Sequence, residues 1–162
     1  MDFTRVVLGR RPRQTLIRAA VLVAVSFVTF GYLLLPVRGE GISMAPTFRG
    51  GQLGLVNTLA YVWSRPQRGD IVAIRMAGPR VLYIKRIVAL PTDRISIAGG
   101  VVLINGSALA EPYALGGAGW QLPEVTLGAD QYFVIGDNRR MAIQNHDLGA
   151  TTRARIVGEV LF

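Results

Sequence analysis

The chain has 162 residues, 51% of them hydrophobic, and a formal net charge of +8. It has no cysteine and one histidine, His146, which excludes disulfides, thiol chemistry, Cys-ligated zinc and multi-histidine metal sites. Half of the net charge is concentrated in residues 1–18, where Arg5, Arg10, Arg11, Arg13 and Arg18 face only Asp2; the rest is scattered arginine without aromatic interleaving, which argues against nucleic acid.

Residues 1–18 read as a basic cytoplasmic segment. Residues 19–35 form an uncharged apolar run. As a helix, it would span about 26 Å, just enough to cross a thin hydrocarbon core. Pro36 closes it, so residues 19–36 are expected to be a transmembrane signal anchor. The arginine excess before the run puts the N-terminus in the cytoplasm and residues 37–162 on the far side of the membrane. A cleaved signal peptide is the competing reading. The run is long for such a segment, and no small-x-small pair lies between it and Pro36, although Gly39 and Gly41 flank Glu40 beyond it.

After residue 40, the pattern changes to short β-like runs separated by turn residues. Residues 53–63 carry apolar residues at mixed spacing. Residues 70–76 read as a strand entered from the turn-like Pro66-Gln67-Arg68-Gly69. Gly78-Pro79 turns into a second strand, residues 81–90, closed by Pro91. Residues 94–97 and 101–104 flank Gly99-Gly100, a hairpin signal, and Asn105-Gly106 gives another tight turn. Residues 111–124 read as a loop, residues 131–135 and 156–162 as strands. No sustained helical period follows residue 40. The fold expected is mainly β: one N-terminal transmembrane helix, then a coiled antiparallel β-sheet domain.

Lys85, in the middle of the second strand, is the only lysine; the other 17 basic residues are arginine. Arginine stays protonated in proteins, whereas a lysine amine made costly to charge by burial can lose its proton and act as a base. A snorkelling surface lysine is the alternative. Alternation puts Tyr83, Lys85 and Ile87 on one face of the strand and Ile84, Arg86 and Val88 on the other. Of five serines, Ser26 lies in the apolar run, and Ser43 follows that run by eight residues.

Four ordered boxes are more specific than any one of them: Ser43-Met44-Ala45-Pro46-Thr47, Arg68-Gly69-Asp70-Ile71-Val72, the stretch from Tyr83 to Pro91, and Gly136-Asp137-Asn138-Arg139. In this order, they resemble the type I signal peptidase family, Ser-Lys membrane proteases that remove signal peptides. The resemblance covers residues 15–162. It implies Ser43 as nucleophile and Lys85 as general base, with no cofactor and no metal. It implies an Arg86–Asp137 pair supporting the site, and a pocket for small residues at Phe48 and Tyr83, with Met44 beside the nucleophile. The implied partners are signal peptides of secretory preproteins, cut after Ala-x-Ala-like junctions, and membrane lipid at the outer face of an inner membrane. An extended substrate would add as a strand beside residues 81–84.

The chain departs from the family pattern in three places. Position 41 is Gly where some members have Ser, so backbone N–H groups, that of Ser43 first, are left to bind an oxyanion. Ala142, Gln144 and His146 stand where the family has Ser, Asp and Arg, so the hydroxyl expected to orient the lysine is missing; Asn145 or Asp147 are substitutes. Thr92 replaces the usual Gly before Asp93 and is expected to reshape one turn. Three other readings stay open: a specialised processing peptidase of the same fold, a membrane-tethered β-domain without activity, and a Ser-His-Asp hydrolase using His146 and Asp147. Adjacent residues on a strand face opposite ways, which places that last pair badly. The sequence is silent on oligomeric state.

Overall fold

The computed structural model describes residues 12–77, 81–117 and 119–162. Residues 1–11, most of the basic segment, and the Gly78-Pro79 turn lie outside the described residues. Helix α1 (Pro12–Val28) runs on into a π-helical turn, Thr29–Leu33. The 21 residues Arg13–Leu33 are long and apolar enough to cross a membrane, and none of the side chains in that stretch is buried against the rest of the protein.

The helix starts and stops earlier than the apolar run suggests. Leu34, Leu35 and Pro36, expected within the span, belong instead to strand β1 (Leu34–Arg38). Pairing with β2 (Leu53–Asn57) overrides their apolar character: Leu34 lies opposite Asn57 and Leu35 opposite Val56. Thr58 closes the junction. Its N–H and hydroxyl donate to the Leu33 carbonyl at 3.0 and 3.2 Å, and the hydroxyl also reaches the Tyr32 carbonyl at 2.8 Å. These bonds satisfy carbonyls that a helix end would leave unpaired.

Among the described residues, eleven strands form two antiparallel sheets. The remaining members of the larger sheet are β3 (Ile71–Ala77), β4 (Val81–Ala89), β9 (Gln131–Ile135), β10 (Gly149–Thr152) and β11 (Ile156–Leu161). Its order is β1-β2-β11-β3-β4-β9-β10. The smaller sheet is built from β5 (Arg94–Ala98), β6 (Val101–Ile104), β7 (Ser107–Ala108) and β8 (Leu122–Thr126), in the order β7-β6-β5-β8. The mainly β expectation holds. Gly99 and Gly100 turn the β5–β6 hairpin at φ of 57° and 85°, backbone that favours glycine.

Strand β8 corrects the loop reading of residues 111–124. Its Pro123 cannot donate to a ladder, but β8 is an edge strand, where a missing N–H costs little. Thr92 adopts φ of 71°, the left-handed backbone that favours glycine, and the Asp93 N–H closes onto the Leu90 carbonyl at 3.1 Å.

Apolar burial falls into three clusters. One joins the smaller sheet to β4 and β9 through Ile95, Ile97, Val102, Val88, Ile135 and Trp120. A second packs Val72, Ile74 and Ile87 against Tyr132 and Val134. The third packs Met44 and Phe48 against Ile71, Ala73, Leu82 and Ile84. The split follows strand alternation: Ile87 goes to one side of β4, Leu82 and Ile84 to the other.

Candidate functional site

The four sequence boxes meet at the junction of β4 and β9. Strand β9 pairs with β4 only from Arg86 to Ala89. Residues 82–84 therefore pair with β3 on one side and leave the other side without a strand. The Ser43 segment, a run of turns after β1, closes on the end of β9. There, Asn138 N–H donates to the Ser43 carbonyl at 2.9 Å and Asn138 Nδ2–H to the Ile42 carbonyl at 3.1 Å.

The ladder places Ile135 opposite Arg86, and continuing it puts Gly136 opposite Lys85. Gly136 is where the Ser43 segment comes closest. A side-chain carbon there would collide with the Ser43 carbonyl oxygen and lie 2.6 Å from the His146 ring. Only glycine lets these three backbone segments approach so nearly. The Ser43 segment thus packs on the ladder position opposite Lys85.

Lys85 is 2% exposed, which removes the snorkelling alternative. Burial pushes its pKa below the ordinary lysine value, against the opposing pull of Asp147. Its amine donates to the His146 carbonyl at 2.7 Å. Neither Asn145 nor Asp147, the substitutes expected for the hydroxyl missing at Ala142, bonds the amine through its side chain; the partner is the main-chain oxygen of the residue between them.

His146 is fully buried. Its Nε2–H donates to the Asn138 carbonyl at 3.0 Å, and its Nδ1 accepts, at 3.4 Å, from the Gly136 N–H. Burial, then the nearby Lys85 charge, lower its pKa to about 4, so the ring is neutral near pH 7. With both ring nitrogens committed to backbone, His146 has no free base to offer Ser43. The Ser-His-Asp arrangement is not formed.

Arg86 points to the other face of β4 and meets Asp137, as expected. Nε and Nη2 donate to the two carboxylate oxygens at 2.9 and 2.6 Å, and Nη1 to the Gly69 carbonyl at 2.6 Å. Thr47 Oγ1 donates to the same carboxylate. Asp137 is fully buried and thereby ties the Lys85 strand to the Ser43 box. Burial alone would lower the Arg86 pKa; the Asp137 hydrogen bond and charge outweigh it and raise it. Loop 111–117, which the sequence left without a role, straps this pair. Tyr113 lies under the Arg86 guanidinium at 3.8 Å, Glu111 takes a bidentate bond from Arg139, and Leu115 N–H donates to the Asp137 carbonyl.

Ser43, Met44, Phe48, Tyr83 and Ile84 line one groove of about 790 Å³, together with residues 35–41 of β1 and the turn after it. Met44 and Phe48 are buried in its floor; Ser43 and Tyr83 are half-buried. The Phe48 ring fills space at two glycines: a side-chain carbon at Gly39 would lie 2.6 Å from it and one at Gly54 3.1 Å. Phe162 packs against the same ring at a tilt of 57°, centroids 5.3 Å apart. Among the described residues, no three metal-ligating side chains come together.

A "Signal peptidase I" of Leptolyngbya laminosa is 32% identical over 127 residues, 74% of this chain and 63% of that protein. One of Bacillus licheniformis is 32% identical over 157 residues, 88% of this chain and 84% of the relative. The chain therefore spans less than two thirds of the cyanobacterial relative's length. A solved signal peptidase I of Enterococcus faecalis V583 has a TM-score of 0.48 at 24% identity, over 59% of this chain and 97% of the other. The family described as "Signal peptidase, peptidase S26" matches residues 13–162, helix and both sheets included, and the chain belongs to that family.

Proposed function

We propose that this chain is a membrane-anchored serine endopeptidase that removes signal peptides from secretory preproteins with a Ser43–Lys85 dyad. The observation that carries the reading is the sole lysine, buried and hydrogen-bonded, opposite the glycine on which the Ser43 segment rests. Residues 19–33 serve as the single membrane anchor, residues 1–18 stay in the cytoplasm, and the peptidase domain from residue 37 works on the outer face of the inner membrane.

Burial favours the neutral form of Lys85 Nζ, and in that form it takes the proton of the Ser43 hydroxyl as Oγ bonds to the scissile carbonyl carbon. The His146 carbonyl can only accept, so it holds one N–H of the amine and leaves the lone pair for Ser43. The backbone N–H of Ser43 is the first candidate donor to the developing oxyanion. The Lys85 ammonium then gives its proton to the leaving amine as the C–N bond breaks, leaving an ester on Ser43. Water attacks that ester as Lys85 takes its proton, and the Lys85 ammonium returns a proton to Oγ as the ester C–O bond breaks, freeing Ser43 and the signal-peptide carboxyl end. The substrate lies extended along the unpaired edge of residues 82–84, bound by main-chain bonds. Small residues, as in Ala-x-Ala, fit because Phe48 and Met44 fill the groove floor.

The test uses the purified full chain in detergent with a preprotein carrying an Ala-x-Ala junction. Ser43→Ala and Lys85→Ala should each abolish cleavage, because a nucleophile and its base act as a unit. Retained cleavage in either removes the dyad. The wild-type rate should climb with pH through a basic limb below the ordinary lysine value, since only the neutral amine serves as base. Protease added outside spheroplasts should digest the β-domain; protection of that domain would overturn the orientation.

A further inference from the structure

His146 is the only histidine, fully buried, and takes no part in the proton transfers above. Yet it bonds both Lys85 and the Gly136–Asn138 turn. Its ring binds the backbone of Gly136 and of Asn138, and Asn138 in turn holds the Ser43 and Ile42 carbonyls. Its own carbonyl holds Lys85. Trp120 packs edge-on against the ring at 4.7 Å, and Trp120 is anchored by its Nε1–H to the Met141 carbonyl at 2.9 Å. The contacts of the ring and the carbonyl that holds the amine thus belong to one residue.

We propose that His146 is the positioning residue of the base: its imidazole locks the 143–149 segment onto Gly136 and Asn138, and so fixes the carbonyl that orients Lys85 toward the Ser43 segment. The imidazole thereby does the work that a side-chain hydroxyl would do at position 142, where this chain has alanine. It does so through backbone, so the orientation of Lys85 depends on a ring that never touches it as a donor or acceptor. The same segment closes the Lys85 pocket. Asp147, at φ of 46°, supplies the charge that acts on the amine from that segment, and Arg139 lies on the ring's other side, over Trp120. Losing the ring lets the segment drift, admits water to Lys85 and weakens the desolvation that favours its neutral form.

The inference rests on the Ser43–Lys85 reading but has a readout independent of turnover. Because Lys85 is the only lysine, full-length protein grown with ε-13C-lysine gives one labelled side chain, whose titration can be followed in detergent by NMR. His146→Leu keeps bulk and loses both ring bonds. His146→Gln keeps an N–H donor at the Nε2 position for Asn138. In His146→Leu, kcat should fall about tenfold or more with KM within about twofold. Its Lys85 titration and the basic limb of kcat/KM should move up together by roughly half a pH unit or more. His146→Gln should recover most of both. A Lys85 titration that is the same in all three proteins overturns the proposal, as does a Gln variant no better than Leu when both are folded by near-UV circular dichroism. Should Leu fail to fold, the Gln variant alone decides: a wild-type titration with kcat reduced tenfold would also sink it. Ser43→Ala and Lys85→Ala assayed alongside separate this failure from failure of the dyad, since cleavage surviving in those variants removes the dyad itself.

Discussion

Removing Arg86 is the sharpest test of how the site is held together. Asp137 is fully buried and its carboxylate takes three donors: Arg86 Nε at 2.9 Å, Arg86 Nη2 at 2.6 Å and Thr47 Oγ1. Arg86→Leu strips two of these and the only positive charge bonded to it. An unpaired buried carboxylate of this kind costs about 3–5 kcal/mol. Loss of the guanidinium stacked on Tyr113 adds about 1 kcal/mol. Against a total stability of about 5–15 kcal/mol, the variant should be marginal. Asp137→Leu in the same background removes the stranded charge and should restore part of the loss, giving a coupling of about 2–3 kcal/mol. The assay is urea unfolding of the full chain in detergent micelles, followed by fluorescence of Trp120 in the core shared by the two sheets. Cleavage should fall with stability in Arg86→Leu, because the pair joins the Lys85 strand to the Ser43 box. A loss below about 1 kcal/mol, or single-variant losses that simply add in the double variant, would refute the reasoning.

Gly136→Ala should cut cleavage by about a hundredfold and cost about 1–3 kcal/mol, because its methyl carbon must displace the Ser43 carbonyl and the His146 ring; an active Ala variant would show that the segments are not so close. His146 carries a pH signature of its own. Its pKa is lowered from an ordinary 6.5 to about 4, so the unfolded chain binds the extra proton first as pH falls. Stability that is present above pH 6.5 should therefore be lost progressively down to pH 4, by about 3 kcal/mol, and unfolding of His146→Gln over that window should lack this component. Thr92→Gly should stabilise the protein by about 1 kcal/mol, since an exposed β-branched residue at φ of 71° is strained and loses no packing; a lower melting temperature would contradict this.

Much of the fold and site was legible in the order of residues because the signals are local. Alternation and β-branching mark β3 and β4, paired glycines mark the β5–β6 hairpin, and an uncharged run marks the helix. The box order pointed to Ser43, Lys85, Arg86 and Asp137, and the last two meet as expected. Edge strands were not legible. Leu34 and Leu35 look like membrane residues, and Leu122 to Thr126 carries a proline, yet both segments become strands because a neighbour offers an edge to pair with. The partner of Lys85 was not legible either. A missing side-chain hydroxyl at Ala142 is visible in a sequence, whereas a main-chain carbonyl belongs to every residue and is marked by none. Which carbonyl reaches the amine is decided only when β4, β9 and the 143–149 segment are brought together. There, the burial of His146 and the bare backbone of Gly136 set the distances.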